Sequence, residues 1–225
     1  FNTNSGIFNS ILGLSILLLS IVFLSGIFGN RLIYLAAYLP PQSSTYVDIK
    51  TLERVPYYSD FLEDDSFYDN VKYSEILKLP HGLKGFFDYD EGISFAKEVN
   101  KPVLLDFTGH GCVNCRDIEA RVWPDERVRN ILNNDYVLIS LYVDDKTILP
   151  EENWYVSNYD GRIKKSIGRQ NADFQISRFE NNAQPYYVVL SPFSERIISP
   201  PWGYELNTEK YIDNLNLGLR SYYDN

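Results

Sequence analysis

Sulfur is scarce in this sequence: two cysteines and no methionine among 225 residues. Two cysteines in one short motif exclude a disulfide-stapled scaffold. A chain that lacks an initiator methionine is expected to be a fragment of a longer precursor, so N-terminal targeting signals are not legible. Basic residues are also in deficit, 21 against 30 acidic, for a formal net charge of −9. So anionic a surface is a poor match for nucleic acid and sets that class aside. Histidine occurs only as His81 and His110. A zinc site needs about four ligands. Two cysteines and two histidines could supply them, but both histidines precede the cysteines, in no zinc-finger spacing. What remains is globular composition, 44% apolar and 23% charged, with room for one ordinary domain and extra segments.

Charge is absent from the first thirty residues. Within them Ile7 to Phe28 is mostly Ile, Leu, Val and Phe. At about 1.5 Å per residue this stretch reaches roughly 33 Å, enough to cross a hydrocarbon core of about 30 Å. A signal peptide would need a basic start and a shorter apolar stretch. A water-soluble helix would need a polar face, whereas Ser10, Ser15, Ser20 and Ser25 spiral round the axis. Such serines can bond back to the preceding turn. A membrane helix is therefore expected, with a C-terminal extension to about residue 40, closed by Pro40-Pro41. Residues 41–84 are rich in Tyr, Asp and Ser, hold the acidic run Glu63-Asp64-Asp65, and show no sustained period. They read as a linker, parts of which pack on a neighbour.

From residue 85 to 225 the pattern becomes regular. A helix from about Asp88 to Asn100 is followed by a strand, Val103 to Thr108, apolar but for Asp106. Helices are expected from about Cys112 to Val122 and Asp125 to Asn133, and a strand from Tyr136 to Val143. A long polar connection, residues 144–182, holds a helix near Asp173 to Phe179. Two strands, Tyr186 to Ser191 and Arg196 to Ser199, read as a hairpin. A helical stripe of Tyr211, Ile212, Leu215, Leu219 and Tyr222 ends the chain. This order predicts an α/β fold: one mixed central sheet flanked by helices, with a parallel early strand pair.

The informative stretch is Val103-Leu-Leu-Asp-Phe-Thr-Gly-His-Gly-Cys-Val-Asn-Cys115. It places C-x-x-C where a buried strand turns into a helix. Cys112 falls at the helix start, where free N–H groups and the helix dipole favour a thiolate. Cys115 lies one turn in, on the face of Ile118 and Val122, and is shielded. A reachable attacker beside a sheltered resolving thiol is what thiol–disulfide exchange requires. A structural disulfide closing so small a loop would remove little unfolded-state entropy. Asp106 is costly in an apolar strand unless it has a task. With a pKa raised by burial it could exchange protons with Cys115; the rival reading is a carboxylate capping nearby backbone. Pro185 follows Gln184 and precedes a strand, and its peptide bond could be cis. His110 could tune the thiolate or be a solvated loop residue. Trp123 and Trp202 read as packing residues.

The spacing of Asp106, Cys112 and Cys115, with the later Pro185, resembles the thioredoxin superfamily. Further stretches extend the likeness: Leu79-Pro-His-Gly-Leu83, Gly85-Phe-Phe-Asp-Tyr89, Leu141-Tyr-Val-Asp-Asp145 and Asn182-Ala-Gln-Pro-Tyr186. With these the chain is similar to the carboxy-terminal part of the DsbD family of thiol:disulfide interchange proteins, or protein-disulfide reductases. The resemblance implies a thioredoxin-like domain behind the last membrane helix. Cys112 would be the nucleophile, Cys115 the resolving thiol, Asp106 the buried acid/base and Pro185 the cis proline of the substrate loop. It implies no cofactor beyond the redox-active disulfide Cys112–Cys115. Electrons would come from the preceding membrane domain and pass to periplasmic thiol–disulfide proteins. The chain would sit in a bacterial inner membrane, in contact with lipid, its domain facing the periplasm. Thr108 and Gly111 replace the aromatic residues usual two positions after the acid and just before the first cysteine. The rivals are another tethered carrier, serving cytochrome c maturation or disulfide isomerisation, and a Cys/His metal-binding module.

Overall fold

The computed structural model describes residues 3–27, 67 and 70–224. The chain divides into two compact units, residues 1–62 and 63–225. Of the first unit, one helix is described, α1 (Thr3–Ile27). Its side chains are described from Phe8 to Ile21 and at Leu24, and all are exposed. The hydroxyls of Ser15 and Ser20 donate to the carbonyls of Ile11 and Ile16, at 2.9 and 2.8 Å. The serines thus satisfy themselves within the helix and form no polar face. Among the described residues, no helix is long and apolar enough to cross a membrane. The extension to residue 40, its prolines and the acidic run at residues 63–65 lie outside the described residues.

The second unit is an α/β layer structure. Helix α2 (Tyr89–Val99) starts at Asp88, whose carboxylate accepts from the Glu91 amide, and ends at Asn100 in the left-handed conformation. Strand β1 (Val103–Thr108) is buried along its whole length. Helices α3 (Val113–Arg121) and α4 (Glu126–Asn134) follow, then β2 (Val137–Tyr142), also wholly buried. After a helical turn at Glu151–Asn153 comes a two-residue hairpin, β3 (Tyr155–Val156) and β4 (Ile163–Lys164). Helix α5 (Ile167–Phe179), strand β5 (Tyr186–Leu190) and helix α6 (Thr208–Tyr223) complete the chain.

The sheet order is β2-β1-β5. β1 runs parallel to β2 and antiparallel to β5, so the sheet is mixed. Single bridges widen it, with Phe86 beside Ile139 on one edge and Trp202 beside Tyr187 on the other. Because β1 is central and covered on both faces, it reads as a continuous apolar run rather than an alternating one. The expected second strand of the late hairpin shrinks to one bridge, Ile197 to Leu190, because the ladder is closed only by Ser191 N–H to the Arg196 carbonyl and Ile198 N–H to the Val189 carbonyl. α5 begins six residues before the expected start at Asp173, its cap supplied by Ser166.

Residues 70–84, expected within the linker, pack into this unit. Val71, Leu77, Leu79 and Leu83 are buried in its core. Trp123 is fully buried, and its indole N–H donates to the Tyr211 hydroxyl at 3.0 Å, tying α3's end to α6. Trp202 stacks on Tyr187, ring centroids 5.3 Å apart.

Candidate active site

The site is built at the C-terminal end of β1. There the chain breaks at Gly109, turns through His110 and Gly111, and enters α3. The Cys112 amide donates to the Gly109 carbonyl at 3.2 Å, closing the turn. Cys112 is the N-cap of α3, and its sulfur accepts from the Cys115 amide at 3.1 Å. The first turn of α3 holds no acidic residue of its own, and the positive end of the helix dipole faces the Cys112 sulfur from the cap.

Cys112 and Cys115 are joined in a disulfide, with Cα atoms 5.3 Å apart. Cys112 is partly exposed, whereas Cys115 is 2% exposed and shares its face with the buried Ile118 and Val122. One sulfur is within reach of a partner and the other is not.

Asp106 is 2% exposed, in the middle of the sheet. Its Oδ2 accepts from the Ser140 hydroxyl at 2.9 Å, while Oδ1 accepts no hydrogen bond from any described residue. Burial lifts its pKa to about 6, against the Ser140 bond and the Arg116 charge. Such a carboxyl can hold or release a proton near neutrality.

Pro185 is buried, and the Gln184–Pro185 bond is cis. The β1–β5 register pairs Asp106 with Tyr187 and Phe107 with Tyr186. Pro185 therefore lies at the end of β5 that faces the C-terminal end of β1, where the cysteine turn begins. The register thus sets Pro185 across from the end of β1 that leads to the cysteines, two residues beyond Asp106.

Several residues with a part in this site were not singled out by their sequence. Arg116 donates to the Thr108 hydroxyl at 3.0 Å and pairs with Glu119 at 2.6 Å. Glu119 is 7% exposed, and burial raises its pKa to about 8 despite Arg116. Its signal was available: Glu119 is four residues after Cys115, on the same helical face. Burial likewise lifts Tyr142, whose ring lies under Arg116, to about 12. Beyond β2, Asp144 accepts from the amides of both His110 and Gly111, at 2.8 Å each. Asp145 pairs with His110 Nε2 at 2.9 Å. Burial pushes Asp145 up, but the bonds from His110 and the Thr147 amide hold it below the usual carboxylate range. The parallel register, Thr108 beside Tyr142, carries these aspartates to the turn.

His110 is thus neither free nor merely solvated: its ring also lies 4.6 Å from that of Tyr142. His81 donates from Nε2 to the Glu119 carbonyl at 2.6 Å. Among the described residues, no three His, Cys, Asp or Glu side chains converge as a metal site would need.

Residues 84–192 match the thioredoxin-like family model. That segment carries the mixed sheet and the paired sulfurs of Cys112 and Cys115. Among curated proteins, the thiol:disulfide interchange protein DsbD of Ralstonia nicotianae is 35% identical over 72 residues, covering 30% of this chain and 12% of that protein. The chain thus matches only about an eighth of that relative's length. Among solved structures, a DsbH oxidoreductase matches with a TM-score of 0.46 at 16% identity, over 64% of this chain and 91% of its own. A thioredoxin from Thermus thermophilus matches at 0.43 and 18%, over 59% and 84%.

Proposed function

We propose that the chain is the membrane-tethered terminal reductase module of a DsbD-type thiol:disulfide interchange protein. Electrons from the preceding membrane domain reduce the Cys112–Cys115 disulfide, and the resulting dithiol reduces disulfides of periplasmic proteins. The Cys112 thiolate attacks the partner's S–S bond, forms a mixed disulfide and expels one partner thiolate. Cys115 then loses its proton to Asp106 and attacks the Cys112 sulfur. The intramolecular disulfide re-forms, and the second partner sulfur leaves as a thiolate. Two electrons pass to the partner with no cofactor beyond the sulfurs themselves. In this reading Pro185, at the adjoining end of β5, borders the surface where the partner chain lies.

The observation that carries the reading is the inequality of the two sulfurs: Cys112 partly exposed at a helix N-terminus, Cys115 buried. The identity to DsbD favours the reductase role over other members of the class. The uncharged stretch around α1 supports the tether; the bacterial inner membrane and the periplasmic side of the domain follow from the resemblance to the DsbD family. The test is reduction of insulin disulfides by the reduced chain. The wild type should turn insulin over and Cys112→Ala should not; equal rates would refute the assignment. The tether is tested separately, by whether the chain stays with the membrane pellet through an alkaline wash.

A further inference from the structure

The turn that delivers Cys112 has no side-chain support of its own, because Gly109 and Gly111 flank His110. Its support comes from across the sheet. Both oxygens of Asp144 are engaged, Oδ1 by the His110 amide and Oδ2 by the Gly111 amide, at 2.8 Å each. These are the two amides immediately before the helix cap. The carboxylate sits so close to Gly109 that a Cβ there would meet Oδ2 at 2.9 Å and the carboxyl carbon at 3.0 Å. Gly109 is therefore needed for a close approach. Asp145 closes the arrangement by pairing with the His110 ring, and its own Oδ1 accepts from the Thr147 amide at 2.8 Å.

We infer that Asp144 is a positioning residue for the nucleophile. It clamps the 109–111 turn through two backbone amides, and its negative charge beside the Cys112 cap restrains the thiolate that the α3 dipole favours. The inference deepens the proposed exchange reaction and rests on that reading for its purpose. Its two effects have separate signatures. The clamp fixes where the Cys112 sulfur points, so losing it lowers the rate at which a fully ionised thiolate reacts. The charge raises the free energy of that thiolate, so losing it lowers the pH at which the thiol ionises. The charged groups around the turn are His110 on the turn itself, Asp144, Asp145 and Lys146 after β2, and Arg116 within α3. Among the described residues, Asp144 is the one whose side chain bonds to the turn's backbone from outside it. A residue that merely filled space would move neither quantity.

The experiment is alkylation of Cys112 by iodoacetamide in the reduced full chain, followed by mass spectrometry across pH. It requires no protein partner, so it succeeds or fails independently of insulin reduction. In Asp144→Asn the pH midpoint should fall by about half a unit, because the side chain stays and the charge goes. In Asp144→Ala the midpoint should fall and the high-pH rate should drop severalfold. Gly109→Ala tests the close approach: in the wild-type background it should lower the high-pH rate as Asp144→Ala does, while the charge that sets the midpoint stays in place. In the Asp144→Ala background, where the carboxylate no longer blocks a Cβ, it should add little. Unchanged midpoints in both Asp144 variants, or fully additive effects of the 109 and 144 substitutions, would overturn the inference.

Discussion

Ser140 of β2 stands directly beside Asp106 of β1 and donates its hydroxyl to Oδ2 at 2.9 Å, leaving Oδ1 without a donor among the described residues. One hydrogen bond does not offset full burial of a carboxylate, so its pKa settles at about 6 rather than 3.8. The sign of the stability effect follows. Below pH 3.8 the acid is neutral in both states and contributes nothing. Between 3.8 and 6 the unfolded chain ionises first, and the folded state loses ground; above 6 the full cost persists. Asp106→Asn should therefore stabilise the oxidised chain by about 2–3 kcal/mol at pH 7.5 and far less at pH 4.5. Urea denaturation at the two pH values measures it. The same variant should slow insulin reduction, because in the proposed exchange Cys115 loses its proton acceptor.

Arg116 and Glu119 form the second buried charge relationship near the sulfurs, 2.6 Å apart. Burial raises Glu119 from 4.5 to about 8, so its cost to the fold grows as pH rises through that window. Arg116→Met removes the cation that opposes this shift. At pH 6.5, with Glu119 largely protonated, the loss should be about 1–2 kcal/mol from the Thr108 bond and ring contact. At pH 9 the carboxylate would be buried without a partner, and the loss should reach about 3 kcal/mol. Equal losses at both pH values, by denaturant melts, would show that the ion pair carries no charge-dependent stability.

Gly168 opens α5 against the segment that supports the site. A Cβ there would press on the backbone of Asp145, with its carbonyl oxygen at 2.6 Å and the Asp144 carbonyl carbon at 2.9 Å. Backbone cannot swing aside as a side-chain tip can. Gly168→Ala should cost about 2–3 kcal/mol, although alanine is the better helix former. Thermal unfolding checks it. A neutral result would mean that α5 can slide away from the β2 end without penalty.

The buried Trp123–Tyr211 hydrogen bond, 3.0 Å, joins the end of α3 to α6. Tyr211→Phe keeps the ring among Tyr187 and Trp202 but leaves the indole N–H buried without its acceptor. A loss of about 1–3 kcal/mol is expected. Since this contact lies outside the sulfur site, the alkylation rate of Cys112 should not change with it.

How far the sequence could be read depended on whether neighbours in sequence settled the structure. β1 was legible because a central strand is apolar on both faces, and its observed limits, Val103 and Thr108, are the expected ones. The α2 and α4 starts were legible from Asp88 and Asp125, whose carboxylates cap the first turns. The β3–β4 hairpin was not, because two-residue strands leave no period. It is held instead by Asp173 of α5, which accepts from Ser157 and Tyr155 and pairs with Lys164. Leu77 and Leu79 vanished into an acidic, tyrosine-rich stretch although both are core residues. In the site, the C-x-x-C pair announced itself through spacing. Asp144 did not, since it acts through a parallel register, and the i+4 spacing of Glu119 from Cys115 gave its face but not its burial, which only the finished fold confers.

The most direct test of the account traps the intermediate. Reduced Cys115→Ala chain is mixed with insulin and the products are resolved by non-reducing mass spectrometry. The account predicts a stable mixed disulfide through Cys112, because the partly exposed sulfur attacks and nothing remains to resolve it. Reduced Cys112→Ala should give almost none, its remaining sulfur being buried. If insulin is captured equally by both variants, or by Cys115 alone, the division between attacking and resolving sulfur is wrong and the reductase reading falls with it.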